Sequence, residues 1–228
     1  LKQRAQEAKF AVLSANLVTQ GDKQPVLRPY MTFARDGVRV AIIGLSEPET
    51  TQSAAMSRDG AILDPIQTAR ELVGELRGKV DLLVVLSHLG LQVDASLAQS
   101  VPGIDLIVGG NTRQLMQAPQ RVGNTLIVQQ GYNGEWLGVT KATFDAKGVP
   151  SDYSTLPLEL TANFQDDADM VKLLAPYRQA YPTTTPQPTW TPDPRTPTVN
   201  MTRTVQAYQT LSALMAQAAT ATAKATKP

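Results

Sequence analysis

The sequence predicts an α/β fold with a mostly parallel sheet, and three observations carry that expectation. Residues 38–44 (VRVAIIG), 80–86 (VDLLVVL) and 104–108 (IDLIV) are near-continuous apolar runs, as in strands buried on both faces. Segments with capping signals and helical periodicity lie between these runs. The resulting β-α-β-α-β order closes as a right-handed parallel sheet with helices packed against it.

The elements follow in order. Residues 1–9 read as a helix that leads into a strand over 10–17 (FAVLSANL). Residues 30–34 and 38–44 flank Arg35-Asp36-Gly37, and Asp-Gly between two apolar runs is a strong hairpin signal. Asp64-Pro65 opens a helix, since Asp can cap it and Pro suits the first helical position. Ile66, Ala69, Val73 and Leu76 form its apolar stripe, and Gly78 ends it. Asp94 is read as the cap of a short helix before the 104–108 strand. After residue 120 the pattern changes to strands over 125–129, 137–144 and 153–160, with Asp145-Ala146-Lys147-Gly148 as a hairpin turn. Asp166 or Asp167 starts a further helix through Met170, Val171, Leu174 and Tyr177, with Pro176 placed to kink it.

Residues 181–199 (YPTTTPQPTWTPDPRTPTV) differ in kind. Pro and Thr dominate, and such a segment has nothing with which to pack a core. An extended, semi-rigid linker is expected, of a composition commoner in exported proteins. Asn200 then caps a final helix over 200–228 with Val205, Tyr208, Leu211 and Met215 on one side. That stripe has no core of its own, so these four residues are candidate partner contacts. Asn200-Met201-Thr202 also matches the glycosylation sequon, a weak three-residue signal.

Composition excludes several function classes. Hydrophobic residues make up 42% and charged residues 18%, and the formal net charge is +1 with Lys and Arg scattered singly. Nucleic-acid binding is not expected without a basic stripe. No apolar run approaches the ~18 residues of a membrane-spanning helix. The absence of cysteine removes disulfides, thiolate metal sites and Cys nucleophiles. A single histidine cannot build a His-rich metal centre from this chain alone. The opening LKQRAQEAKF lacks both Met and the apolar core of a signal peptide, so a segment upstream of it is expected.

In open α/β sheets, ligands sit outside the carboxyl ends of the strands. Three candidate strands end in polar, Gly-containing segments: 44–50 (GLSEPET), 87–90 (SHLG) and 109–113 (GGNTR). Parallel, adjacent strands would make them converge. His88 is the only histidine and stands in the middle segment. A lone His is more often structural than functional, but a strand's carboxyl end is where a functional one belongs. Gly109-Gly110 is either a tight turn or a place where bare backbone N–H groups meet an anion. Asn16 reads as holding a turn and Glu47-Pro48-Glu49 as a solvated loop.

FAVLSANL, VRVAIIGLSEPET, VDLLVVLSHLG, VPGIDLIVGGNT and IVQQGYNGEWLGVTKATFDAKG together resemble successive segments of the calcineurin-like metallophosphoesterases, in the periplasmic 5′-nucleotidase-type branch. The resemblance covers roughly residues 7–175. It implies a two-sheet α/β sandwich with two divalent metal ions (Mn, Zn, Fe or Mg) at the strand ends. His88 matches a family metal ligand. The family's next motif is GGHTH, with both histidines on the metals, whereas this sequence reads GGNTR. Asn111 therefore stands at the first histidine position and Arg113 at the second. Asn is a poor substitute for imidazole on a transition metal. Arg has no lone pair and brings a fixed positive charge to a cation site. The family's remaining ligand motifs, an Asp-x-His, a Gly-Asp and a Gly-Asn-His-Glu, lie upstream of the part matched here. Its C-terminal substrate-binding domain would follow residue ~175, where this sequence has the linker and final helix.

These features divide the chain into a partial metallophosphoesterase-like domain over 1–180, a linker over 181–199 and a helix and tail over 200–228. The first reading is a non-catalytic module of an exported, periplasmic or extracellular assembly, with no cofactor. Other protein chains would cover an exposed sheet edge, the apolar surface left by half a sandwich, and the final helix. A second reading is a metal-dependent, nucleotidase-like phosphoesterase completed by a segment absent here, in which metal-activated water attacks a phosphate ester. A third is a metal-free phosphate or anion binder formed by His88, Gly110, Asn111 and Arg113. The bland alternative for Arg113 is a salt bridge to Glu47 or Glu49. Trp136 and Leu137 are expected to pack the second sheet, and Trp190 to contact a neighbouring surface.

Overall fold

The computed structural model describes residues 1–48, 60–145, 150–161 and 166–180. Leu1–Glu159 form one unit and Leu160–Pro228 another. In the first, α1 (Lys2–Glu7) precedes β1 (Leu17–Thr19), β2 (Tyr30–Arg35), β3 (Val38–Leu45) and β4 (Gly60–Ile62). Then come α2 (Pro65–Leu76), β5 (Leu82–Ser87), α3 (Leu91–Ser100), β6 (Leu106–Val108), β7 (Gln120–Val122) and β8 (Thr125–Val128). A long pair, β9 (Trp136–Phe144) and β10 (Pro150–Glu159), completes the unit.

The central sheet has the order β2-β3-β5-β6-β8-β7. Its inner four strands are parallel, and β2 and β7 pair antiparallel at the margins. The β2–β3 hairpin turns at Asp36 and Gly37, whose φ values of 51° and 83° supply the left-handed pair that a two-residue turn needs. One face of the sheet meets α2 and α3. Ala41, Ile43, Leu83, Val85, Ile107 and Ile127 pack there with Ala69, Val73, Leu76, Leu97 and Val101. Each large aliphatic side chain so buried contributes roughly 1.5–3 kcal/mol. The cap of α2 is as expected from sequence: Asp64 accepts a hydrogen bond from Gln67 N at 2.7 Å.

The opposite face is also apolar. Met31, Ile42, Val84, Leu106 and Leu126 stand in one row across five strands, and Leu86, Val108 and Val128 in the next. Val84, Leu126 and Val128 are buried, whereas Leu86, Val108 and Phe33 are each about two fifths exposed. β9 and β10 pair with each other as a separate antiparallel hairpin, and β1 pairs with β4. The second sheet of the expected sandwich is thus represented, among the described residues, only by two-stranded pieces.

Three expectations need correction. Residues 10–17 do not form a strand: only Leu17–Thr19 enters a ladder, while Ser14 N and Ala15 N bond Arg28 O (2.9 Å) and Gly44 O (2.7 Å). The segment crosses the end of β3 instead of running along it. It passes so close that a Cβ at Gly44 would lie 2.6 Å from Leu13 O. Asp94 is not a cap, because Gly90 (φ 88°) occupies that position and Asp94 lies in the first turn of α3. Leu137 is half exposed, so it does not pack a second sheet, although Trp136 is partly buried. The turn read over 145–148 falls largely outside the described residues, as do the linker, Trp190, and the helix with Val205, Tyr208, Leu211 and Met215.

In the second unit, α4 (Ala168–Ala180) is capped by Asp167, which accepts from Met170 N at 2.9 Å. Met170, Val171, Leu174 and Tyr177 are all exposed. No helix among the described residues is long and apolar enough to cross a membrane.

Charged groups tie both ends of the parallel strands. At the amino ends, Arg77 pairs with Asp105 and bonds Gly103 O (3.1 Å) and Asp81 O (3.0 Å), while Asp105 accepts from Leu83 N at 2.7 Å. Arg39 grips Asp81 there through two guanidinium hydrogen bonds, which hold that carboxyl down at about 2. At the carboxyl ends, Ser87 at the tip of β5 donates to Asp94 Oδ1 and accepts from Leu89 N at 3.1 Å. Asp94 is fully buried, and its Oδ2 has no hydrogen-bond partner among the described residues. Gly109, closing β6, leaves room for it, since a Cβ there would come within 2.6 Å of Oδ2. Burial pushes the Asp94 carboxyl up to about 6, against the smaller opposing effect of the Ser87 hydroxyl.

Both kinds of tie can be tested by unfolding. Arg77→Leu should cost about 2–3 kcal/mol in urea unfolding, because it strands the partly buried Asp105. Arg39→Leu, at an exposed pair, should cost less. For Asp94, the folded carboxyl holds its proton more tightly than the unfolded one. The native state therefore gains stability as pH falls through 6 towards 3.8, and loses it as pH rises. Relative to Asp94→Asn, the wild type should gain about 1.4 kcal/mol between roughly pH 7.5 and 5. Parallel pH profiles for the two proteins would show that Asp94 does not titrate as its burial dictates.

Candidate functional site

The polar segments, the first over its described residues 44–48, converge at the carboxyl ends of β3, β5 and β6. Leu45 closes β3 opposite Ser87, and His88 N donates to Leu45 O at 3.0 Å. That bond places the imidazole beside the residues following β3. Glu47 Oε1 lies 3.8 Å from His88 Nε2. Asn111, two residues beyond Gly109, donates through Nδ2 to Glu47 Oε2 and also to His88 O at 3.3 Å. One carboxamide thus joins all three segments. Gly110 permits the close packing, because a Cβ there would sit 3.4 Å from both His88 Nδ1 and Ser87 O.

The loop that carries these groups is held in an unusual conformation. Asn111 and Arg113 have φ of 72° and 57°. Asn tolerates the left-handed region better than most residues, Arg less well. The compensation comes from Gln129, buried at the end of β8. Oriented to satisfy its neighbours, its carboxamide oxygen accepts from Arg113 N (2.9 Å) and Gln114 N (3.2 Å), and its nitrogen donates to Thr112 Oγ1. Thr112 Oγ1 in turn accepts from Leu91 N at the start of α3, at 3.4 Å. Asn16 braces the first segment from below: it is fully buried, donates to Ser46 O (2.7 Å) and Leu63 O (3.2 Å), and accepts from Ser46 N (2.9 Å).

His88, Gly110 and Asn111, expected from sequence to converge, are joined in the structure. Glu47 differs from expectation. It is no solvated loop residue: its side chain is 23% exposed and it is the acceptor for Asn111. Arg113 does not bridge to Glu47. Its guanidinium lies over the Tyr132 ring, 6.0 Å from the centroid, and makes no salt bridge among the described residues. Glu49 falls outside the described residues. Gln129 and Tyr132 were not singled out from sequence. Strand alternation carried the signal for Gln129, since it shares a face with the core residue Ile127.

This donor set does not suit the dinuclear centre that the resemblance implies. His88 offers one imidazole, 62% exposed. Glu47 supplies one carboxylate that already accepts from an amide, and Arg113 supplies a permanent cation. Among the described residues no three His, Cys, Asp or Glu side chains are grouped to hold a metal ion. The Asn111 carboxamide already engages Glu47 Oε2 and His88 O, and the Arg113 guanidinium brings a charge that opposes a cation.

No family model matches the chain. The trifunctional nucleotide phosphoesterase YfkN of Bacillus subtilis is 33% identical over 151 residues, 62% of this chain and 10% of that protein. The 5′-nucleotidase precursor of Thermus thermophilus superposes with a TM-score of 0.70 at 32% identity, over 79% of this chain and 40% of its own. The sulfate thiohydrolase SoxB of the same organism superposes at 0.69 with 27% identity, over 78% of this chain and 35% of its own. This chain therefore spans well under half the length of these relatives. Sequence and fold agree in this likeness: the relatives are metallophosphoesterases and 5′-nucleotidases, and the sheet superposes on solved structures of the 5′-nucleotidase type.

Proposed function

We propose that the chain is a non-catalytic metallophosphoesterase-like module that serves as a structural or interaction part of an exported assembly. The observation that carries this reading is the Asn111–Glu47 bond. It joins the strand ends at the position where the family resemblance places an imidazole on a metal. Arg113 at the neighbouring ligand position adds a charge that opposes a cation. The exposed apolar rows through Leu86 and Val108 support a role in assembly. A location outside the cytoplasm is supported by the Thr/Pro-rich run and by the precursor form of the Thermus thermophilus relative.

One observation favours a second reading, a metal-free anion site. The Arg113 guanidinium has no carboxylate partner among the described residues, and Arg113 follows Gly110 and Asn111 in the same loop. Glu47 opposes it by placing a carboxylate in the same cluster, so this reading ranks below the first. Inorganic phosphate titrated into the wild type and Arg113→Gln separates them: the module reading expects no saturable binding to either.

The decisive variant restores the family pattern. Isothermal titration with Mn²⁺ should give no saturable heat for the wild type. The Asn111→His/Arg113→His double variant, with two imidazoles returned beside His88, should bind at least ten-fold more tightly. Equal, tight binding by both proteins, or hydrolysis of a phosphate diester by the wild type with Mn²⁺, would contradict the proposal.

A further inference from the structure

The turn that carries Tyr132 holds a second chemistry. Asn133 is followed by Gly134, and no other asparagine in the sequence precedes a glycine. The two residues have φ of 57° and 71°, the left-handed pair of a tight turn. The turn closes through Glu135 N donating to Tyr132 O at 3.2 Å. Asn133 is exposed, and its carboxamide has no hydrogen-bond partner among the described residues. A Cβ built on Gly134 would meet nothing within 4 Å, so the turn is open to solvent on that side.

We infer that Asn133-Gly134 is a self-modification site, at which Asn133 deamidates in the folded protein. The backbone nitrogen of Gly134, on losing its proton, attacks Asn133 Cγ. A bond forms between that nitrogen and Cγ, the Cγ–Nδ2 bond of the carboxamide breaks, and ammonia leaves with the proton. The five-membered succinimide then takes up solvent water at either carbonyl and opens to aspartate or isoaspartate. No oxidant or enzyme is needed, and the net change is amide plus water to carboxylate plus ammonium. Glycine is what makes the first step accessible, since any β-carbon on the attacking residue crowds the ring closure. Asparagine is among the residues that limit the chemical lifetime of proteins for this reason.

The position gives the reaction a consequence. The new carboxylate appears next to Tyr132, whose ring lies under the Arg113 guanidinium. The formal net charge of +1 falls by one unit. The modification thus adds an anionic group one residue from the ring on which the Arg113 guanidinium rests, on the time scale of the protein's age.

Incubation of the intact folded protein at mildly alkaline and mildly acidic pH, followed by peptide mapping with isoaspartate detection, tests this directly. The Asn133 peptide should gain one mass unit at least ten-fold faster than the Asn111 and Asn124 peptides of the same sample. The gain should be faster at alkaline pH, because the nucleophile is the deprotonated amide, and most product should be isoaspartate. Asn133→Gln should abolish the fast component while circular dichroism shows the fold retained. A rate at Asn133 no greater than at Asn111 and Asn124, or a fast rate seen only after unfolding in urea, overturns the inference.

Discussion

The hydrogen bond from Asn111 to Glu47 is the constraint on which the strand-end architecture rests. Four parallel strands deliver backbone carbonyls and polar loops to one edge of the sheet, and those groups must be satisfied where water is partly excluded. The family resemblance implies divalent cations at that edge. Here a neutral amide and a carboxylate meet instead, and the same amide reaches His88 O. The bond is charge-assisted and short-range. The Arg113 guanidinium turns from this cluster to the Tyr132 ring, 6.0 Å from its centroid.

Packing beneath that edge keeps its groups in place. Ser87 and Gly109 end β5 and β6 on the face covered by α3, and the buried Asp94 fills the space that Gly109 leaves. Gln129 continues the same row at the end of β8 and fixes the backbone of the 111–114 loop. Ser14, Asn16, Ser87, Asp94 and Gln129 thus cluster at this edge, with Thr125 the buried polar residue at the other end of the strands, while the interior between sheet and helices is aliphatic. The other face of the sheet stays apolar but incompletely covered. Leu86 and Val108 are exposed in a row that parallel pairing makes continuous. A surface of that kind is what a further layer or a partner protein would bury.

The parallel strands were legible in the sequence because burial on both faces leaves an unmistakable apolar run, and Asp36-Gly37 and Asp64-Pro65 carry their own local chemistry. The convergence of GLSEPET, SHLG and GGNTR followed from topology alone. Roles decided by tertiary neighbours were not legible. Asp94 has the composition of a cap but serves a serine one strand away. Glu47 lies in a loop whose polarity suggested solvent, yet its acceptor role depends on a residue 64 positions later. Residues 10–17 have strand propensity, but their hydrogen bonds go to loop and strand-end groups. Short pieces such as Gly60–Ile62 and Gln120–Val122 have too few residues to show a period.

In the proposed function the strand-end cluster is held closed by its own side chains. A crystal of the wild-type protein soaked in manganese, with anomalous differences collected at the manganese edge, measures this most directly. No peak is expected within coordination distance of His88 Nε2, with Asn111 still bonded to Glu47. One or two strong peaks there, with the carboxamide turned away from Glu47, would contradict closure and return the protein to the metal-dependent phosphoesterases.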